Sequence, residues 1–339
     1  MLPRTVGLIL PLACLTSYTG CHGPQSTFTQ AGEGARQITQ LFYWMAGGGV
    51  GIWLIVMAII ILAIRSKKKY DPRITSQIVI GGGVFFPTVV LTGLLCYGLS
   101  ILPALQAPAP EGSLTIEVAG VRWWWRVHYR DEQKAGSTTS SVVTEQSFHL
   151  ANELVLPVNE PVEFKLTSED VIHAFWIPAL GGKVDMFPGR RTRLKLLPVK
   201  VGIYRGVCAE FCGEAHSQMG FTVKVVTADE FRVWFDAQRL PVVVEDSIKK
   251  DGLQLFLSRG CGACHTIRGT TADGVVGPDL THVGSRSSLG AGWLSNDVES
   301  FRHWLIHTNS IKPGVEMPQF DSLSDHDSWR LAEFLEGLQ

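Results

Sequence analysis

Four of the seven cysteines in this 339-residue chain fall into two tight pairs. The first pair lies in CAEFCGEAHSQM at 208–219: Cys208 and Cys212 are spaced C-x₃-C, His216 follows four residues later, and Met219 three beyond that. Soft thiolates and a thioether select copper, zinc or iron–sulfur, and imidazole suits copper. A thioether is a poor zinc ligand, so Met219 favours copper. A blue-copper site needs one cysteine, two histidines and a weak methionine, which leaves one cysteine over here. Two thiolates can bridge two copper ions, and such a binuclear centre needs an imidazole for each metal. His173, in SEDVIHAFWIPALGGK, is the best candidate for the second imidazole, because it follows an alternating run ending at Ser168. A disulfide is the competing reading in an oxidising compartment, but it leaves His216 and Met219 unexplained.

The second pair lies in CGACH at 261–265, the C-x-x-C-H signature of covalent haem c attachment. Cys261 and Cys264 would form the thioethers and His265 would be the proximal axial ligand. A zinc site would need two more ligands nearby. The sixth ligand must come from further along. Met317, in GVEMPQF, is the only methionine after Met219; His282, His303 and His307 are its rivals. Methionine–histidine ligation raises the haem potential, which suits an electron donor to copper.

The elements that must position these residues change character along the chain. Residues 1–21 open with Arg4, an apolar run and then small residues, the pattern of a secretory signal peptide. Cys21 is a candidate lipoprotein cleavage residue, with ordinary signal cleavage as the alternative. Leu41–Ile64 and Ile78–Leu105 are uncharged for 24 and 28 residues, and about 20 apolar residues span a bilayer. They predict a two-helix membrane anchor over 22–105. Between them Arg65, Lys67, Lys68, Lys69 and Arg73 mark a cytoplasmic loop. Everything after residue 105 then lies on the outer side. From residue 106 to 242 the period is two, as in Leu114, Ile116 and Val118, in Val162, Phe164 and Leu166, and in Phe221, Val223 and Val225. That pattern predicts a β-sandwich or barrel, closed by a short helix over 228–239. Residues 243–339 read as an all-α domain of cytochrome c type, with 11 acidic against 6 basic residues after position 250. The net charge of −1 argues against nucleic acid as a partner.

On these motifs the chain resembles cytochrome c oxidase subunit II, in the form fused to a C-terminal cytochrome c domain, as in caa-type haem–copper oxidases. The motif C-x-E-x-C-x-x-x-H-x-x-M is complete. The resemblance implies a cupredoxin-like domain carrying the binuclear CuA centre, with Cys208 and Cys212 bridging the coppers and His173, His216 and Met219 as terminal ligands. It adds the backbone carbonyl of Glu210 as a ligand and gives the Glu210 carboxylate a magnesium ion shared with subunit I. It makes Asp170 the acidic residue near copper; Lys183, Asp185 and 188–190 also follow the pattern. In GVRWWWRVHY it makes Trp123 the residue where electrons enter, with Trp124 and Trp125 beside it. Three adjacent tryptophans in an alternating segment cannot all face one core, so at least one is expected to be exposed. GPDLTHVG at 277–284 resembles the cytochrome c segment whose proline carbonyl holds the proximal histidine, here Pro278 toward His265.

The implied function is electron input to a terminal oxidase of the bacterial plasma membrane, coupled to proton translocation. Its partners would be subunits I and III and a cytochrome c-type donor. Two departures stand out: Val121-Arg122 replaces the usual His-Gln, and Ile80 stands where many members have a proton-channel glutamate. The acidic haem domain is expected to dock on the tryptophans through Arg122 and Arg126. A membrane-anchored cytochrome that only shuttles electrons is the alternative; a quinol oxidase subunit would lack the copper ligands, and a copper chaperone would carry no haem.

Overall fold

The computed structural model describes residues 22–66, 71–130, 147–244 and 247–339. The signal segment with Cys14 and Cys21, and Lys67, Lys68 and Lys69, lie outside the described residues.

Two helices precede the β-domain: α1 (Glu33–Arg65) and α2 (Pro72–Gln106). Each outruns its uncharged segment and is long and apolar enough to cross a membrane. Asp71 caps α2 by accepting the Arg73 backbone N–H, and Pro72 occupies the first turn, where its missing donor costs nothing. Gly81–Phe85, within α2, is a π-helical segment. Residues 37–107 form one compact unit. Within it Cys96 is exposed on α2.

The second unit holds both remaining domains. Ten strands make two five-stranded sheets: β1 (Leu114–Val121), β2 (Trp124–Arg130), β3 (Phe148–Ala151), β4 (Glu153–Pro157), β5 (Val162–Ser168), β6 (His173–Trp176), β7 (Val184–Met186), β8 (Thr192–Leu196), β9 (Gly202–Cys208) and β10 (Gly220–Val226). The strand orders are β3-β2-β1-β5-β8 and β4-β10-β9-β6-β7. β1–β5 and β4–β10 pair in parallel, and the other neighbours are antiparallel. The alternation in β5, buried at every second residue, points Val162, Phe164 and Leu166 inward. Trp125, Phe175 and Phe221 meet edge-on or stacked at 5.0–5.6 Å between centroids, and burying an apolar side chain of this kind contributes roughly 1.5–3 kcal/mol. Helix α3 (Ala228–Arg239) begins at a capping box between Thr227 and Glu230 and packs Trp234 and Phe235 on Tyr129 and Phe148.

The C-terminal domain has helices α4 (Ser247–Ser258), α5 (Val298–Ile311) and α6 (Asp325–Glu336) around a separate core. Phe256 meets Phe334 at 6.0 Å between ring centroids. Arg268, largely buried, ties this domain to the end of α3 by donating to the Gln238 and Arg239 carbonyls at 2.7 and 3.0 Å.

Candidate metal centre and haem site

Sheet register brings the first set of donors together. β6 and β9 pair antiparallel with Phe175 opposite Cys208. His173, two residues earlier on β6, therefore reaches the loop that leaves β9 after Cys208. That loop is pinned at its base, where the Cys208 N–H donates to the Met219 carbonyl at 3.0 Å and the Ala209 N–H to the Ala174 carbonyl at 3.0 Å. Indoles hold it as well: Trp123 Nε1 donates to the Cys212 carbonyl at 2.9 Å and Trp125 Nε1 to the Met219 carbonyl at 3.3 Å.

The two sulfurs lie 3.8 Å apart, far beyond the roughly 2.05 Å of a disulfide. Each has its own imidazole: His173 Nδ1 is 3.8 Å from Cys208 Sγ, and His216 Nδ1 is 3.5 Å from Cys212 Sγ. Met219 Sδ is 3.8 Å from Cys212 Sγ, and the Glu210 carbonyl is 3.1 Å from Cys208 Sγ. His173, Cys208 and Cys212 are buried and form a compact candidate metal cluster among the described residues. This donor set of two soft sulfurs, two imidazoles, a thioether and a carbonyl fits a copper pair. All six residues named from the sequence stand around one point.

Electrostatics favour a metal between these sulfurs. The hydrogen bond shared by the two sulfurs holds the Cys208 thiol well below its ordinary value and, with burial, pushes Cys212 up. A cation supplies the charge that lets both ionise. His173 Nε2 meets Asp170 Oδ1 at 2.9 Å, which turns Nδ1 toward the sulfur. Burial opposes charge on His173, but its bonds to Cys208 and Asp170 outweigh that and raise it. Burial likewise opposes charge on Asp170, yet the Arg122 and Val171 N–H groups and His173 hold the carboxyl low. Lys183 and Asp185 form an exposed ion pair at 2.9 Å.

The second site is built locally. Cys261–Ala263 form one 3₁₀ turn, and the His265 N–H donates back to the Cys261 carbonyl at 3.1 Å. Cys261 is half-buried and Cys264 is exposed. His265 Nδ1 meets the Pro278 carbonyl at 2.8 Å, which leaves Nε2 for a metal. Burial lowers the His265 pKa, keeping the ring neutral and ligand-competent. A Cβ on Gly277 would stand 2.6 Å from the ring, so only glycine allows this approach. Trp304 Nε1 donates to Met317 Sδ at 3.2 Å. Among the rivals, His282 Nε2 is engaged by the Leu240 carbonyl at 2.9 Å, and His303 and His307 stand exposed side by side on α5. The two cysteines with a neutral, carbonyl-oriented histidine fit covalent haem.

The tryptophans correct one expectation. None is exposed: Trp123 and Trp125 are buried, and Trp124 is half-buried under the Arg126 guanidinium at 5.2 Å. The reason is domain docking, since Gly314 and Lys312 of the haem domain cover Trp123. The expected docking chemistry also differs. Arg122 pairs with Asp170 at 3.5 Å and Arg126 with Glu169 at 3.2 Å, both within the β-domain. Among the described residues neither arginine pairs with a haem-domain carboxylate; Arg126 donates instead to the Val276 carbonyl at 3.3 Å. Sequence reasoning passed over Lys312 and Trp304, because no motif marks a residue whose role is set by tertiary contacts.

Two paired sheets with a buried two-cysteine cluster, followed by a helical C-x-x-C-H domain and preceded by two apolar helices, define a membrane-anchored cupredoxin-like protein joined to a cytochrome c domain. Residues 114–226 match the family model of the cytochrome c oxidase subunit II periplasmic domain, and residues 250–339 match that of cytochrome c. The chain belongs to the cytochrome c oxidase subunit II family and carries both modules in one polypeptide. It is 29% identical to cytochrome c oxidase subunit 2 of Alkalihalophilus pseudofirmus, over 99% of this chain and 98% of that one. It is 31% identical to the Bacillus subtilis protein of the same name, over 68% of this chain and 63% of that one. The periplasmic domain of subunit II of cytochrome oxidase from Bradyrhizobium japonicum aligns with 32% identity and a TM-score of 0.33, over 39% of this chain and 96% of that structure.

Proposed function

We propose that this chain is the electron-input subunit of a terminal haem–copper oxidase in a bacterial plasma membrane. When bound, the copper pair and the haem each supply a one-electron carrier. Cys208 and Cys212 would hold the copper pair through their thiolates, with His173, His216, Met219 and the Glu210 carbonyl supplying the remaining donors. Cys261 and Cys264 would hold the haem covalently and His265 and Met317 would ligate it, with the Pro278 carbonyl orienting His265. Trp123 spans the gap, since its indole bonds to the Cys212 carbonyl on one side and meets the haem domain on the other; Trp124 lies beside it. A buried, rigid array of this kind needs little reorganisation when one electron arrives.

The observation that carries this reading is the pair of sulfurs 3.8 Å apart, each with its own imidazole nitrogen. A cytochrome c-type donor would deliver electrons, and subunit I would take them to the oxygen-reducing site, coupled to proton translocation, with subunit III alongside. The exposed Glu210 carboxylate is available for a magnesium ion shared with subunit I. Affinity purification of the tagged full chain from its native membrane tests the reading. Recovery of large haem-bearing subunits with oxygen-consuming activity is expected. Recovery of the chain alone, with intact haem and copper, would leave a membrane-anchored shuttle.

A further inference from the structure

Lys312 follows α5 in the haem domain, five residues before Met317, and is 2% exposed. Its Nζ donates to three backbone carbonyls: Trp123 at 2.6 Å, Gln218 at 3.0 Å and Gly290 at 3.3 Å. Two of these belong to the β-domain. Trp123 precedes β2, and Gln218 lies between His216 and Met219 in the copper loop. An ammonium has three donors, so all three are used. The same loop answers in kind, with Gln218 Nε2 donating to the Ile311 carbonyl at 2.7 Å. Burial pushes the Lys312 pKa down to about 7. Such a charge stays buried only where its hydrogen bonds are met, and here that happens only with the domains together.

Neighbouring contacts extend the seam. Gly314 stands at φ +78°, where a Cβ would come within 2.8 Å of the Trp123 ring. At Gly220 a Cβ would lie 3.1 Å from the Ala291 carbonyl. On the far edge the Ser287 N–H donates to Glu153 Oε2 at 2.7 Å. The haem domain therefore covers the surface that would otherwise expose Trp123.

We propose that Lys312 is a positioning residue that latches the haem domain onto the Trp123 face and the copper loop, making the fused domain a fixed internal donor rather than a tethered shuttle. The functional consequence rests on the electron-input reading; the latch does not. A shuttle would pass its electron only in transient encounters, and these slow as salt screens the charges that steer them. In a latched pair, one-electron transfer from the haem site to the copper site would be independent of salt. The latch also bars an external donor from Trp123, so electrons from outside must enter through the haem domain.

The test uses the detergent-solubilised full chain, haem-attached and copper-loaded, as wild type, Lys312→Met and Lys312→Ala. Haem and copper spectra identical to wild type establish that both domains remain folded. Amide hydrogen exchange is then followed in segments 119–126, 213–220 and 308–316. In both variants exchange is expected to rise by about ten-fold or more at all three, and n-propylammonium is expected to restore protection in Lys312→Ala. Haem-to-copper transfer should become salt-dependent in the variants alone. Unchanged protection in both folded variants would overturn the latch. Failure of haem-to-copper transfer in the wild type itself would instead overturn the electron-input reading, while the exchange result stood.

Discussion

The copper loop and the haem loop each begin from two cysteines a few residues apart, and they are built in opposite ways. In the copper loop both cysteines are buried, at 7% and 4% exposure, and partners reach them from distant parts of the chain. His173 arrives from β6, Asp170 fixes its ring, and Trp123 and Trp125 pin the backbone. In the haem loop Cys261 opens a 3₁₀ turn that Cys264 caps, with His265 beside them, and Cys264 stays exposed. The difference follows from the chemistry. A non-covalent metal pair must find its donors preorganised by the fold, whereas covalent attachment needs only a local motif that presents two thiols and a histidine.

This comparison can be broken most directly by exchanging one sulfur. Cys212→Ser should cut copper affinity by more than about a hundred-fold, measured by competition with a copper chelator, and leave the haem absorption unchanged. Coupled loss of haem would show that the two sites are one folding unit. Met317→Ala should leave haem attached through Cys261 and Cys264 but lower its reduction potential by on the order of 0.1 V, as read by redox titration. An unchanged potential would pass the sixth-ligand role to another residue.

Asp170→Asn sharpens the contrast, since it touches no metal. It should weaken copper binding roughly 10- to 100-fold by freeing the His173 ring, with no effect on the haem. The same variant carries a pH signature. The native carboxyl is held below its ordinary value, so its contribution to stability is present above about pH 3.9 and is lost as pH falls through the native value. Asp170→Asn should be less stable than wild type at pH 7 and should lack this acid limb in thermal unfolding of the metal-free chain. A parallel pH profile would remove Asp170 from the account. The smallest effect is expected for Pro278→Ala. Its contact with His265 is through the carbonyl, so the haem spectrum should not change and stability should fall by only about 0.4–1 kcal/mol through the unfolded chain.

The same contrast explains what the sequence disclosed. C-x-x-C-H and the Cys–Cys–His–Met run are contiguous and could be read directly, as could the alternation of β5 and the helix at 228–239. His173 was reached only because a copper pair demands a second imidazole. The burial of Trp123 was not legible: alternation within β1 and β2 cannot show that another domain covers their turn. Arg122 and Arg126 looked like docking cations, but Asp170 and Glu169, three and four residues before His173, engage them first. Lys312 carried no local signal, because its three carbonyl partners come together only when the domains meet.

The central claim is a copper pair bridged by Cys208 and Cys212 beside a haem c. Electron paramagnetic resonance of the oxidised, copper-loaded and haem-attached full chain tests it most directly. One unpaired electron shared equally over two copper nuclei, together with a low-spin ferric haem signal, is the predicted result. A signal from a single isolated copper, or no copper signal at all, would contradict it.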